Sequence, residues 1–173
     1  MKARLIIALM LALLAAAGAV HAADRYDQQL ADEISASICN YPRFTIFDDV
    51  SGRVENGVVV LTGKVTMPFK KNEIGRRVAR IDGVRELRNE ISVLPVSTYD
   101  DDLRRRIARA IYGNPTFWTY AAMANPPIHI IVEHGRVTLT GVVNSNVERV
   151  LARSLATGRG ELAVVNDLRT DTP

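Results

Sequence analysis

One pattern occurs twice in this chain, and that duplication constrains the fold more than any other feature. Val54-Glu55-Asn56-Gly57-Val58-Val59-Val60-Leu61-Thr62-Gly63-Lys64-Val65 is echoed by Val132-Glu133-His134-Gly135-Arg136-Val137-Thr138-Leu139-Thr140-Gly141-Val142-Val143, at a constant offset of 78. Upstream, Leu30, Ile34 and Ile38 correspond to Leu103, Ile107 and Ile111 at an offset of 73, so the second copy carries about five extra residues between Phe117 and Ile128. Downstream, Asn89 corresponds to Asn166 at an offset of 77. A repeat of this length is one supersecondary unit used twice.

Each copy reads as α-β-β-α-β. Tyr26, Leu30, Ile34 and Ile38 recur at every fourth position, and Leu103, Ile107 and Ile111 repeat the spacing, which makes one buried helical stripe per copy. The next strand places Ile46, Val50 and Val54 on one face with Asp48 and Gly52 between them; its counterpart uses Ile128, Ile130 and Val132. Asn56-Gly57 suits a tight hairpin because both residues tolerate positive φ, and His134-Gly135 reads as a poorer version of that turn. The return strands turn Val59, Leu61 and Val65, or Val137, Leu139 and Val143, to one side. Pro68 marks the start of the second helix in copy one, with Ile74, Val78 and Ile81 facing inward. In copy two, Ser145 and Glu148 have capping-box spacing, and Val147, Val150, Leu151 and Leu155 form the apolar stripe. Gly83, and Gly158 or Gly160, are read as the helix ends. Leu87, Asn89, Ile91 and Val93 make the last strand, matched by Val164, Asn166 and Leu168. The expected class is α+β: two tandem α-β-β-α-β modules, each a three-stranded mixed sheet covered by two helices.

The first residues read as an export signal. Lys2 and Arg4 precede an apolar run from Leu5 to Val20, and Val20-His21-Ala22 puts small residues at the cleavage positions. The run is shorter than the roughly 20 apolar residues of a membrane span. Residues 1–22 are therefore expected to be a cleaved signal peptide, leaving a soluble product. Cys39 lies far from that site, which argues against a lipid anchor. As the lone cysteine it can form no internal disulfide, and it reads as a small core residue. Loss of Lys2 and Arg4 lowers the formal charge from +3 to +1, so the sequence pI of 9.2 overstates the basicity of the working protein. That balance argues against a general nucleic-acid role.

The repeat resembles the BON domain family of bacterial envelope proteins. The resembling residues are Gly57 with Leu61-Thr62-Gly63-Lys64-Val65, then Ile81-Asp82-Gly83-Val84, then Asn89-Glu90-Ile91-Ser92-Val93. Copy two shows Gly135, Leu139-Thr140-Gly141-Val142-Val143 and Val165-Asn166-Asp167-Leu168, and departs where Gly160 is followed by Glu161. The resemblance covers nearly all of the chain after the signal: a first domain at 24–94, a linker at 95–98 and a second domain at 99–171. Gly57, Gly63, Gly83, Gly135 and Gly141 are its fold-defining positions. It implies periplasmic tandem modules without enzyme activity, contacting phospholipid membranes or envelope proteins and linked to osmotic stress and envelope integrity.

No constellation in the sequence points to catalysis, a cofactor or a metal. The two histidines outside the signal, His129 and His134, lack partners at ligand spacing. Asp100-Asp101-Asp102 precedes a helix, where acidic residues cap and complement the dipole. Gly158-Arg159-Gly160 is too short for a phosphate loop. Two features distinguish copy two. Arg104, Arg105, Arg106 and Arg109 share a helix and are expected on the faces away from its buried stripe. They form either a solvated surface or a patch for an anionic phospholipid surface, where each basic residue adds about 1 kcal/mol. The segment after that helix holds Phe117, Trp118 and Tyr120, which either cap the core or reach a membrane interface. These seven residues are the candidate lipid-binding set. A protein-interaction or chaperone-like stress module using sheet edges or the inter-module face is the alternative.

Overall fold

The computed structural model describes residues 25–171. The expected signal peptide at 1–22 lies outside them. Among the described residues no helix is long and apolar enough to cross a membrane.

The chain forms two α+β modules in tandem. The first contains α1 (25–39), β1 (Asp49–Glu55), β2 (Val58–Val65), α2 (Pro68–Val78), β3 (Glu86–Asn89) and β4 (Ser92–Val93). The second contains α3 (Thr98–Tyr112), a 3-10 turn at Pro115–Phe117, α4 (Trp118–Ala121), β5 (Ile128–Glu133), β6 (Arg136–Val143), α5 (Asn146–Ala156), β7 (Ala163–Asn166) and β8 (Arg169–Thr170). In each sheet the hairpin strands pair antiparallel, and the third strand returns parallel to the central one after the helical crossover. That third strand is in two pieces, β3 with β4 and β7 with β8, and both pieces pair with the same central strand.

Each module has its own core. Leu30, Ile34, Ile38, Val59, Leu61, Ile74 and Ile91 pack together in the first; Leu103, Ile107, Ile111, Phe117, Ile130 and Leu139 do so in the second. Several expectations shift. Tyr26 heads the expected α1 stripe but is half-exposed. Strand β1 starts at Asp49, and Gly52 lies on the inward face, because a Cβ there would meet Ile34 and Leu61. Helix α2 ends at Val78, so Gly83 belongs to the following turn. On α5, Val147 and Val150 are exposed, while Ala152 and Ala156 take the innermost positions with Leu151 and Leu155 beside them. Cys39 is exposed, not a core residue.

The two hairpin turns are equivalent. Asn56 and Gly57 have φ of 51° and 73°; His134 and Gly135 have 50° and 72°. The reason His134 is tolerated lies in α3. Buried Asp100 accepts the backbone N–H groups of His134 (2.9 Å) and Gly135 (2.8 Å). Asp27 does the same for Asn56 (2.5 Å) and Gly57 (3.0 Å). The cap of α3 is Ser97, whose side chain accepts from the Asp100 N–H, so the Asp100 carboxylate is free to hold the turn. Asp100→Ala strands two N–H groups, one of them buried, and should lower stability by about 2 kcal/mol. Urea unfolding followed by circular dichroism measures this.

The modules meet along β5. Ile130 donates its N–H to the Ile46 carbonyl (2.7 Å), the Phe44 and His129 rings lie 5.5 Å apart, and Lys64 pairs with Glu133. Ile46 and Phe47 pack against the second core, which is why Ile46 does not extend β1.

Candidate functional site

The distinctive surface of the second module is the corner where α3 passes into α4. Heptad geometry directs Leu103, Ile107 and Ile111 inward and Asp102, Arg105 and Arg109 outward. Arg105 pairs with Asp102 on the exposed side. Arg109 is exposed and donates to the Arg105 carbonyl, at 3.4 Å. Arg106 is partly buried and donates to the Arg159 carbonyl (3.1 Å), which ties α3 to the loop after α5.

Arg104 departs from the expected outer face. It is 4% exposed, pairs with Asp101 and donates to the Val132 carbonyl (2.5 Å). Its position flanks the apolar stripe, so its stem is covered by the edge of the sheet and its charge is consumed locally.

The aromatic segment divides in a similar way. Asn114 caps the 3-10 turn by accepting the Thr116 N–H (3.0 Å), and Pro115 occupies its first position. Phe117 and Tyr120, three residues apart, both turn inward; they are 0% and 4% exposed, with ring centroids 5.9 Å apart. The Tyr120 hydroxyl donates to Glu148 (2.7 Å) and accepts from the Asn144 N–H (3.0 Å). Burial, reinforced by Glu148, raises its pKa. Phe117 and Tyr120 therefore anchor the segment and are withdrawn from the surface. Trp118 lies between them in sequence and points out, 61% exposed, with Met123 half-exposed beyond it. Of the seven candidates, the structure leaves Arg105, Arg109 and Trp118 on an open surface, with Arg106 at its margin.

Two polar networks escaped sequence reading. In the first module, Lys70 and Asp48 form a buried ion pair at 2.6 Å. Asp48 also accepts the N–H and hydroxyl of both Thr45 and Thr66. At the position matching Lys70 the second module has Glu148, which accepts the Asn144 N–H (3.0 Å) while taking the Tyr120 hydroxyl. The two modules brace the start of the second helix with opposite charges. The repeat offset aligned Lys70 with Glu148, but nothing local to either residue named the partner. Among the described residues there is no cluster of three or more His, Cys, Asp or Glu able to hold a metal.

A duplicated α+β module with two independent cores is the class this architecture defines. Residues 26–95 and 99–172 each match the BON domain, and the chain belongs to the BON domain family. The family is linked to phospholipid and envelope binding. No curated protein matches the chain. Among solved structures, it is similar to the C-terminal domain of CdsD, a structural protein of the Type III secretion system of Chlamydia trachomatis, at 16% identity and a TM-score of 0.34, covering 83% of this chain and 66% of that one. A second CdsD structure gives 16% identity, a TM-score of 0.33 and coverage of 83% and 63%. The chain spans just under two thirds of the length of these chains.

Proposed function

We propose that this protein is a non-enzymatic periplasmic envelope component, exported by its N-terminal signal, that docks on anionic phospholipid surfaces through the α3–α4 corner and supports envelope integrity under osmotic stress. The observation that carries this reading is the outward Trp118, presented by a segment anchored through buried Phe117 and Tyr120, just beyond the helix whose exposed side carries Arg105 and Arg109. An indole at a bilayer interface buries its apolar body and keeps its N–H wet. Neighbouring guanidinium groups gain from anionic headgroups. The exposed Arg105–Asp102 pair is worth little in water, so Arg105 can exchange that partner for a phosphate.

Co-sedimentation with phosphatidylglycerol vesicles tests it. Wild-type protein should pellet at low salt and be released as salt rises, and phosphatidylcholine vesicles should not retain it. Arg105→Glu with Trp118→Ala should weaken binding about tenfold or more, since a charge reversal at the surface removes roughly 2 kcal/mol before the indole is counted. Equal pelleting of the double variant would defeat the assignment of this corner.

One observation favours a protein partner as a second reading. Val58 and Val60 lie half-buried on the helix-free face of the first sheet, in a depression of about 540 Å³ rimmed by Arg53, Glu55 and Arg88. Cross-linking in the native envelope at Thr62 should then recover a defined partner without any vesicle binding.

A further inference from the structure

An apolar groove of about 410 Å³ opens beside the same corner. Its walls come from three places: Ile46 of the first module, Ala108 and Tyr112 of α3, and Ala121 and Pro126 of the segment around α4. Arg109 stands in its lining as well. The volume falls in the lower part of the range for small-molecule sites, roughly 300–1,000 Å³.

The groove is apolar for a specific reason. The Tyr112 hydroxyl is turned away into the sheet, where it donates to the Ile128 carbonyl (2.5 Å) and accepts the Ile128 N–H (3.2 Å). Burial drives its pKa far above that of free tyrosine, so it stays neutral. What Tyr112 offers the groove is its ring. Arg109 supplies the opposite character. Among the described residues no carboxylate pairs with it, in contrast to Arg104 and Arg105 on the same helix. A site with one apolar trough and one guanidinium that no described carboxylate neutralises matches a ligand with one chain and one anionic head.

We propose that this groove binds a single-chain anionic lipid, its hydrocarbon chain laid between Ile46 and Ala121 and its head on the Arg109 guanidinium. The inference deepens the lipid-surface reading and rests on it for the source of the ligand, a bilayer held against Trp118. It goes beyond surface docking because the ligand leaves the bilayer plane and enters a cleft between the modules. Ile46 belongs to the inter-module seam, so an occupied groove also bridges the two modules.

The test uses three soluble probes below their micelle concentrations: dodecanoate, lysophosphatidylglycerol and dodecyltrimethylammonium. Emission from Trp118, the sole tryptophan, reports occupancy next to Ala121, and calorimetry gives the stoichiometry. The expected result is saturable binding of one dodecanoate or lysophosphatidylglycerol per chain and at least tenfold weaker binding of the cationic probe. Arg109→Gln should weaken the anionic probes about tenfold and leave the cationic one unchanged. Ala108→Leu narrows the trough and should weaken all three. Circular dichroism on both variants establishes that they are folded; Arg109→Gln, at an exposed position, keeps the test decisive if Ala108→Leu does not fold. Equal binding of anionic and cationic probes would overturn the role of Arg109. No saturable binding of monomeric probe, with vesicle pelleting intact, would overturn the groove and leave surface docking standing. Saturable dodecanoate binding without vesicle pelleting would overturn the bilayer as the source while retaining the site.

Discussion

Asp48→Ala should be among the most damaging single substitutions in the first module, lowering its stability by about 3–5 kcal/mol. The carboxylate is fully buried and serves five donors: the N–H and hydroxyl of Thr45, the same two groups of Thr66, and the Lys70 ammonium. Alanine leaves a buried cation without its counterion and two backbone N–H groups without an acceptor. An uncompensated buried charge costs more than the pair contributes, because its desolvation is no longer offset. The converse change should be milder. Lys70→Met removes the cation, fills similar volume and leaves Asp48 with four donors, so a loss of about 1–2 kcal/mol is expected. Urea unfolding of the two variants gives the comparison, and amide exchange should place the Asp48→Ala loss at Thr45, Thr66 and the start of α2. Equal losses for the two variants would show that the carboxylate is not the hub of the network.

Gly141→Ala should cost about 4 kcal/mol or more, and Gly63→Ala a comparable amount. These glycines occupy the same position in the two modules, with φ of 112° and 118°, a region that side-chain-bearing residues avoid. Strain is only part of the loss. A Cβ at Gly141 would fall on the Pro127 carbonyl oxygen, and one at Gly63 on the Asp49 carbonyl oxygen. Neither oxygen can withdraw freely, because each belongs to the backbone where the hairpin's first strand begins. Gly158→Ala is the matched control. Gly158 also has positive φ, 75°, but a Cβ there meets nothing within 4 Å, so only the left-handed backbone penalty of roughly 1–2 kcal/mol applies. Thermal unfolding of the three variants should separate Gly63 and Gly141 from Gly158. A loss at Gly141 no larger than at Gly158 would refute the steric argument.

Much of the fold was legible because its signals are local. The Leu30-Ile34-Ile38 and Leu103-Ile107-Ile111 spacings defined α1 and α3, and the β2 and β6 alternations matched the buried positions. The turn at His134 was undervalued because propensity rates only the two turn residues. The Asp100 carboxylate that stabilises it is 34 positions away. The α5 stripe divides for a related reason. Leu151 and Leu155 pack on the core as their spacing suggests, but Val147 and Val150, more hydrophobic than Ala152 and Ala156, stay exposed while the two alanines are fully buried.

The candidate site was legible as a region but not residue by residue. Arg104, Phe117 and Tyr120 looked equivalent to Arg105 and Trp118 in composition. What separates them is which side of α3 or α4 meets the sheet, and that depends on contacts with β5, β6 and α5, such as Val132 for Arg104 and Glu148 for Tyr120, 28 positions away in each case.

By itself the sequence determined that the chain is duplicated, roughly where each module's two main helices and its hairpin lie, and that glycines stand where the backbone takes positive φ. These follow from periodicity and backbone sterics, which act within a few residues. Only the tertiary structure decided which arginines keep a free charge, which aromatic ring faces solvent, that Lys70 and Glu148 brace equivalent helices with opposite charge, and that Ile46 leaves its own module to wall a groove in the next. Burial and charge pairing depend on what arrives from distant parts of the chain, and the five extra residues that make the α3–α4 corner acquire a surface only once Phe117 and Tyr120 have been drawn into the core beneath it.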